Sequence, residues 1–356
     1  MVRPEFSDWI PYRVPSKPLY DLGNNENRVM DWSFLAQETM TRLSPADVTF
    51  YGDNSYGELR QSYGNYLGVD PDWLVAGVGS DHLIHMIVTT FLTSRDVFLG
   101  VDPDFFMYRV YNQLHGSRFV SHSLEWKEGS LRLSVEGLLE KATSVNAKLI
   151  MLSNPNNPAS IAYPLEQLEE LARRFDGLLV IDEAYIEFAS VESFLSRLPA
   201  YDNVILLRTL SKAFGLAGLR LGFAVSTPAL IHELNKVMPP FSLSNVAAKM
   251  GSVAMDHLDQ VQSSVQTIQQ LREDCLSFLR SLSDCQVLPS QASFVTFTAP
   301  WAQDFHQVAA QAGWHFKYYP TGILAGFIRL SMGRKEEMAA FQTLLLDYLK
   351  AHSFLY

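Results

Sequence analysis

Cysteine is scarce in this chain: only Cys275 and Cys285 occur among 356 residues. Their spacing matches neither a metal site nor a disulfide framework, so a reducing, cytoplasmic setting is expected. Positive charge is also short, with 28 Lys and Arg against 38 Asp and Glu and a formal net charge of −10. Nucleic acid and anionic membranes are bound by clustered basic residues, so neither is expected as a main partner. One basic pocket for a small anion stays compatible with that balance. No apolar run approaches the ~18 residues of a membrane span. The opening MVRPEFSDWIPYRVP has no apolar core of the kind that marks a secretion signal. Internal repeats and low-complexity tracts are missing as well.

Apolar residues make up 47% of the chain and aromatics 12%, ample material for a large domain with a smaller lobe. Short apolar runs read as buried strands at Trp73–Ala76, Val97–Val101, Lys148–Leu152, Leu178–Ile181, Val204–Leu207 and Leu221–Val225. Helical patterns separate them, clearest at Leu83–Leu92 and Leu165–Phe175. The alternation predicts an α/β fold, a mostly parallel sheet with helices on both faces. Beyond Pro239-Pro240 the pattern changes. Long helical stretches run from Ser244 to about Leu282, short strands follow near Phe294–Phe297 and Phe327–Ser331, and a helix closes the chain at Lys335–Lys350. We read residues 1–30 as an arm packing on the small lobe or a partner subunit, 31–240 as the large domain and 241–356 as a small α+β domain.

In open α/β sheets ligands gather beyond the carboxyl ends of strands, and the unusual polar residues fall there. Asp182 ends the apolar run Gly177-Leu-Leu-Val-Ile, where a carboxylate is costly unless it is paired; a helix N-cap is its plainer use. Lys212 follows the strand Val204–Leu207 within Ser-Lys-Ala-Phe-Gly, close enough to reach a cleft. Gly77-Val-Gly-Ser-Asp-His-Leu-Ile leaves a strand and opens a helix; amides at such a helix start can hold an anion. As a dinucleotide fingerprint it is weak, because no third glycine arrives at the required spacing. Thr209 and Ser211 add hydroxyl donors, and Arg220, eight residues after Lys212, can offer a bidentate guanidinium to a phosphate. Arg329 alternates with apolar neighbours on the strand near the end.

Four of these segments occur in order: SNPNNPAS (153–160), VIDEAY (180–185), TLSKAFGLAGLRLGF (209–223) and FIRLSMG (327–333). With the opening WIPYRVPSKPLYDLGNNEN they make the chain resemble, almost end to end, the fold-type-I class I and II aminotransferases of the histidinol-phosphate aminotransferase type, which use pyridoxal 5'-phosphate (PLP). The resemblance implies that Lys212 carries PLP as a Schiff base and shuttles a proton at the substrate Cα. Asp182 pairs with the pyridine nitrogen, Tyr185 and Asn157 with the phenolic oxygen, and Phe105 stacks on the ring. Gly79, Ser80 and Asp81 form a phosphate cup with Thr209, Ser211 and Arg220. Tyr51 reaches the phosphate of a neighbouring subunit, which implies a homodimer with shared sites. Arg329 binds the substrate's carboxylate or equivalent phosphorylated end, and Asn25 lies nearby.

Two departures bear on the substrate, an amino donor passed to a 2-oxo acid acceptor. Relatives usually read Asn-Pro-Thr-Gly where this chain has Asn157-Pro-Ala-Ser. Lys317 stands where they carry an arginine toward the distal phosphate, and a lysine meets phosphate only as a point charge. An aromatic amino acid substrate, or a decarboxylase of the threonine-phosphate type, are the alternative readings.

Overall fold

Seven strands build the main sheet: β1 (Leu74–Val78), β2 (Val97–Asp102), β3 (Arg118–Ser123), β4 (Ala147–Ser153), β5 (Leu178–Asp182), β6 (Val204–Thr209) and β7 (Leu221–Val225). The computed structural model describes residues 6, 7, 9 and 18–352. Most of the opening WIPYRVPSKP segment lies outside them.

The strands lie in the order β1-β7-β6-β5-β4-β2-β3. β3, β2, β4, β5 and β6 pair in parallel, while β7 is antiparallel to both its neighbours. The reason is chain length. Helices such as Gly79–Phe91 and Leu165–Arg174 supply crossovers elsewhere, but only residues 210–220 join β6 to β7, too few for a helical crossover. The chain turns straight back, and this return loop carries Lys212 and Arg220 past the sheet's carboxyl end. β4, β5 and β6 are fully buried apart from the first residues of β4, as their continuous apolar runs predict. The edge strand β3 was not visible in the sequence, because Arg-Phe-Val-Ser-His-Ser has no apolar run and stays half-exposed.

The helix Asn245–Ala254 packs on the first half of the chain, with Gly251 tight against the Leu59 and Leu221 side chains. The longer helix Leu258–Arg280 then runs onto a second, antiparallel sheet. Its strands lie in the order Gln286–Val287, Phe294–Thr298, Phe327–Ser331 and Lys317–Tyr319. The helix Lys335–Ala351 closes this lobe. The N-terminal segment joins it too: Tyr20–Asp21 pairs in parallel with Trp314–His315, and the Tyr20 ring stacks on Trp314 at 4.0 Å. No helix among the described residues is long and apolar enough to cross a membrane.

Candidate active site

A cleft of about 530 Å³ opens between the carboxyl end of the main sheet and the small lobe. Asn25, Ser80, Asp81, Phe105, Asn157, Asp182, Tyr185, Thr209, Ser211, Lys212, Arg220, Lys317 and Arg329 all line it. Residues from the first 30 positions to the last 30 therefore converge on one cavity.

At its floor Asp182 ends β5. The carboxylate is buried and accepts hydrogen bonds from the Tyr108 hydroxyl (2.9 Å) and the Ala184 amide (3.1 Å). Burial nevertheless pushes it up to about 6, since few donors offset the lost water. Lys212 enters from the β6–β7 loop, its Nζ donating to the Asn24 carbonyl (3.1 Å) and lying 5.8 Å from the Tyr185 ring centre. Tyr185 accepts a hydrogen bond from Asn25 Nδ2 (2.9 Å). The Asn25 amide in turn donates to Ser331 Oγ (3.0 Å).

The anion end of the cleft is built around the start of the helix Gly79–Phe91. Gly79 has φ +74°, and a Cβ there would fall 2.6 Å from Arg220 Nη2. A Cβ on Gly222 would lie 2.5 Å from the Ser80 nitrogen. Both glycines let a guanidinium and a strand approach the first helical turn closely. Gly79 itself is not among the lining residues; its missing side chain makes the room. Arg220, with φ +54°, bonds Asp81 Oδ2 (3.3 Å) and the Ala217 carbonyl (3.3 Å). Asp81 Oδ1 is buried without a hydrogen-bond partner.

Across the cleft Arg329 is buried. Its Nη1 donates to Asn157 Oδ1 and its Nη2 to the Gly23 carbonyl (2.7 Å), while Nε has no hydrogen-bond partner. Lys317 is its register partner on the adjacent strand. Tyr51 does not line this cavity: it is 82% exposed and stacks on Phe241 at 4.6 Å.

Three polar residues were not picked out from the sequence: Asp104, Tyr108 and Ser153. Asp104 lies directly before Phe105 and Tyr108 three residues after it, so a search for polar side chains around the predicted aromatic would have found both. Asp104 accepts from the Ser153 amide (3.0 Å), the Ser153 hydroxyl and the Phe105 amide (2.7 Å). Desolvation still pushes its carboxyl up to about 8.

The raised carboxyls give the protein a pH signature. Both hold a proton more tightly folded than unfolded, so their stabilising contribution is complete below the ordinary carboxylate range. It is lost as pH rises through about 6 for Asp182 and about 8 for Asp104. The melting temperature of the protein with nothing bound should therefore fall from about pH 5 to about pH 8. Asp104→Asn should flatten the upper part of that fall. Fluorimetric melting across this range checks it, and an equal slope in parent and variant would contradict the assignment to Asp104.

The arrangement offers two amines on opposite lobes, a buried acid, a helix start with an arginine beside it and a buried guanidinium around a single cavity. It suits a ligand with a phosphate at one end, an electrophilic carbon near Lys212 and a polar ring atom near Asp182. Comparison with known proteins points the same way. The family model described as aminotransferase class I and II matches residues 17–342. A histidinol-phosphate aminotransferase of Roseiflexus castenholzii is 34% identical over 345 residues, covering 95% of this chain and 90% of that protein. One of Clostridium kluyveri is 29% identical over 344 residues, covering 96% and 97%. The crystal structure of histidinol-phosphate aminotransferase from Sinorhizobium meliloti in complex with pyridoxal-5'-phosphate superposes with a TM-score of 0.86 at 24% identity, covering 98% of each chain.

Proposed function

This chain belongs to the class I and II aminotransferases, PLP-dependent transaminases, and from that premise we propose that it moves the amino group of histidinol phosphate, or a closely related amino donor, to a 2-oxo acid. The observation that carries the reading is that Lys212, Asp182, Arg220 and Arg329 line one cleft. In this reading residues 31–240 form the cofactor-binding domain and 241–356 the small domain, and the enzyme works in the cytoplasm as a homodimer.

The residues present fit PLP, with the close-approach glycines and the buried, partner-free Arg329 Nε as structural signs of a site made for an anionic ligand. Ser80 and Asp81 at the helix start, with Thr209, Ser211 and Arg220, hold the phosphate. Phe105 stacks on the ring. Bound PLP supplies an electron sink for the negative charge that develops at the substrate Cα. Asp182 favours a proton on the ring nitrogen, and that cation in turn holds the carboxylate charged against its burial. Asn157 Oδ1 is taken by Arg329, which leaves its Nδ2 to donate to the phenolic oxygen. The Tyr185 oxygen accepts from Asn25 and keeps its hydrogen for the same target. Lys212 Nζ would take the proton from the substrate Cα and hold it for return two atoms away, across the amino nitrogen. Arg329 would orient the substrate's anionic end so that the Cα–H bond faces Lys212.

Half-reactions test the reading: the PLP-loaded protein should lose its internal absorbance with histidinol phosphate and regain it with 2-oxoglutarate. Carbon dioxide release without a keto product would favour a decarboxylase. Arg329→Lys should cost about 10-fold or more in kcat/KM for every substrate, because the planar fork is lost. Lys317→Met should raise KM for histidinol phosphate and leave an aromatic amino acid nearly unchanged. Equal losses for both would make Lys317 structural.

Tyr51, exposed and not lining its own chain's cleft, reaches the phosphate of the partner subunit in this reading. Mixed Lys212→Ala and Tyr51→Ala chains should then recover roughly a quarter of parental activity, since half the dimers are mixed and each has one intact site. Activity no higher than that of the two parents combined would remove the shared site.

A further inference from the structure

We propose that Asp104 is a positioning residue that sets two walls of the cleft together, the Phe105 wall and the Arg329 wall. The proposal rests on the reading of Arg329 as the anchor for the substrate's carboxylate.

The connections are continuous. Asp104 Oδ1 accepts the Phe105 amide at 2.7 Å, which holds the backbone beneath the Phe105 ring. Both Asp104 oxygens also take donors from Ser153 at the end of β4: its hydroxyl on Oδ1 and its amide on Oδ2, the latter at 3.0 Å. With its hydrogen committed to Asp104, Ser153 Oγ turns a lone pair to the Asn157 amide, which donates to it at 3.0 Å. Asn157 Oδ1 then receives Arg329 Nη1. Asp104 therefore reaches a strand of the small lobe through two intermediaries.

The hydroxyl is the directional element. It donates to one partner and accepts from the other, so the orientation that suits Asn157 is the one Asp104 imposes. Without the carboxylate the hydroxyl rotates, and Asn157 loses a directed acceptor. Asp182 meets this relay only through Tyr108, whose hydroxyl donates to it at 2.9 Å and also contacts Ser153; the Ala184 amide is its other donor. A parallel tie exists between the same loops: Asn156 Nδ2 donates to the Pro103 carbonyl at 3.1 Å. The loops thus remain joined when Asp104 is removed, and its distinct contribution is to orient Ser153 and Phe105.

The test uses the PLP-loaded enzyme and maleate, an inert dicarboxylate, with affinity measured by calorimetry. Asp104→Ala and Ser153→Ala should each weaken maleate about 10-fold, the scale of one lost buried hydrogen bond. The double variant should be no weaker than the poorer single one within about 2-fold, because both changes cut the same relay. Asp104→Asn keeps an acceptor oxygen and should recover the affinity to within about 3-fold of the parent. PLP affinity of the cofactor-free protein should fall further in Asp104→Ala than in Ser153→Ala, since only Asp104 holds the Phe105 amide. Losses that add in the double variant, or maleate affinity unchanged in both single variants, overturn the tie. If Asp104→Ala does not fold, Ser153→Ala decides alone: unchanged maleate affinity in that variant overturns the tie. A parent that binds PLP but no maleate shows instead that Arg329 is not a carboxylate anchor, and the proposal falls with that reading.

Discussion

Lys212→Ala is expected to lower turnover by several orders of magnitude while the protein keeps part of its affinity for PLP. The two halves of that expectation have separate physical origins. In the proposed reading phosphate affinity resides in the helix start and Arg220, whose hydrogen bonds go to Ser211, Ala217 and Asp81 and not to the lysine's amine. Proton transfer at Cα has no substitute, because the other lysine lining the cleft, Lys317, lies on the small-lobe strand beside Arg329. Removal of a positioned general base costs about 10²–10⁴-fold by itself, and loss of the covalent link to the cofactor adds to it. Borohydride reduction of the PLP-loaded parent, followed by peptide mass analysis, should find a pyridoxyl mass on Lys212. A label on another lysine, or turnover retained within 10-fold in Lys212→Ala, would remove the central role assigned to this residue.

A second large effect is expected from a charge cluster on which no chemistry depends. Arg208 on β6 is buried between Glu183 and Glu187, its Nε 2.9 Å from Glu183 Oε2 and its Nη1 2.9 Å from Glu187 Oε1. Glu183 is fully buried and also accepts the Phe194 amide (2.8 Å) and the Ser193 hydroxyl (2.7 Å). Burial raises the Glu187 carboxyl, partly offset by Arg208. Replacing one member of such a cluster leaves the others charged in a low-dielectric interior, so Arg208→Met should lose about 3–5 kcal/mol of stability. Urea unfolding of the parent and variant measures it. Arg208→Met combined with Glu183→Gln and Glu187→Gln should recover a large part of that loss, since no unpaired charge remains. A loss below about 1 kcal/mol in the single variant would mean that water reaches the cluster. Glu183 adjoins Asp182 and Arg208 adjoins Thr209, so the cluster also anchors the strand ends that hold the cleft's floor.

The sequence by itself determined the main sheet's buried strands and the sites at their ends. Continuous apolar runs specify a strand buried on both faces, and a polar residue that ends such a run, as Asp182 does, is legible from its immediate neighbours. Lys212, Arg220 and the glycine-bearing helix start were legible as segments that follow strands, while the roles expected of them came from the family resemblance. The chain could not show which distant residues would meet. Arg329 and Asn157 are 172 positions apart and Asn25 and Tyr185 are 160 apart, and nothing in either segment's periodicity names the other. Packing of the two sheets and of the N-terminal segment brings them together, because each satisfies a buried polar group that its own element leaves unpaired. Asp104 and Tyr108 were missed for a related reason: in sequence they are polar residues beside an aromatic, and only the arrival of β4 and β5 alongside their loop turns them into partners of Ser153 and Asp182. The reversal of β7 had a local cause, the short return loop, but its consequence was tertiary. It set Arg220 against Gly79, where the absence of one side chain makes room for the other.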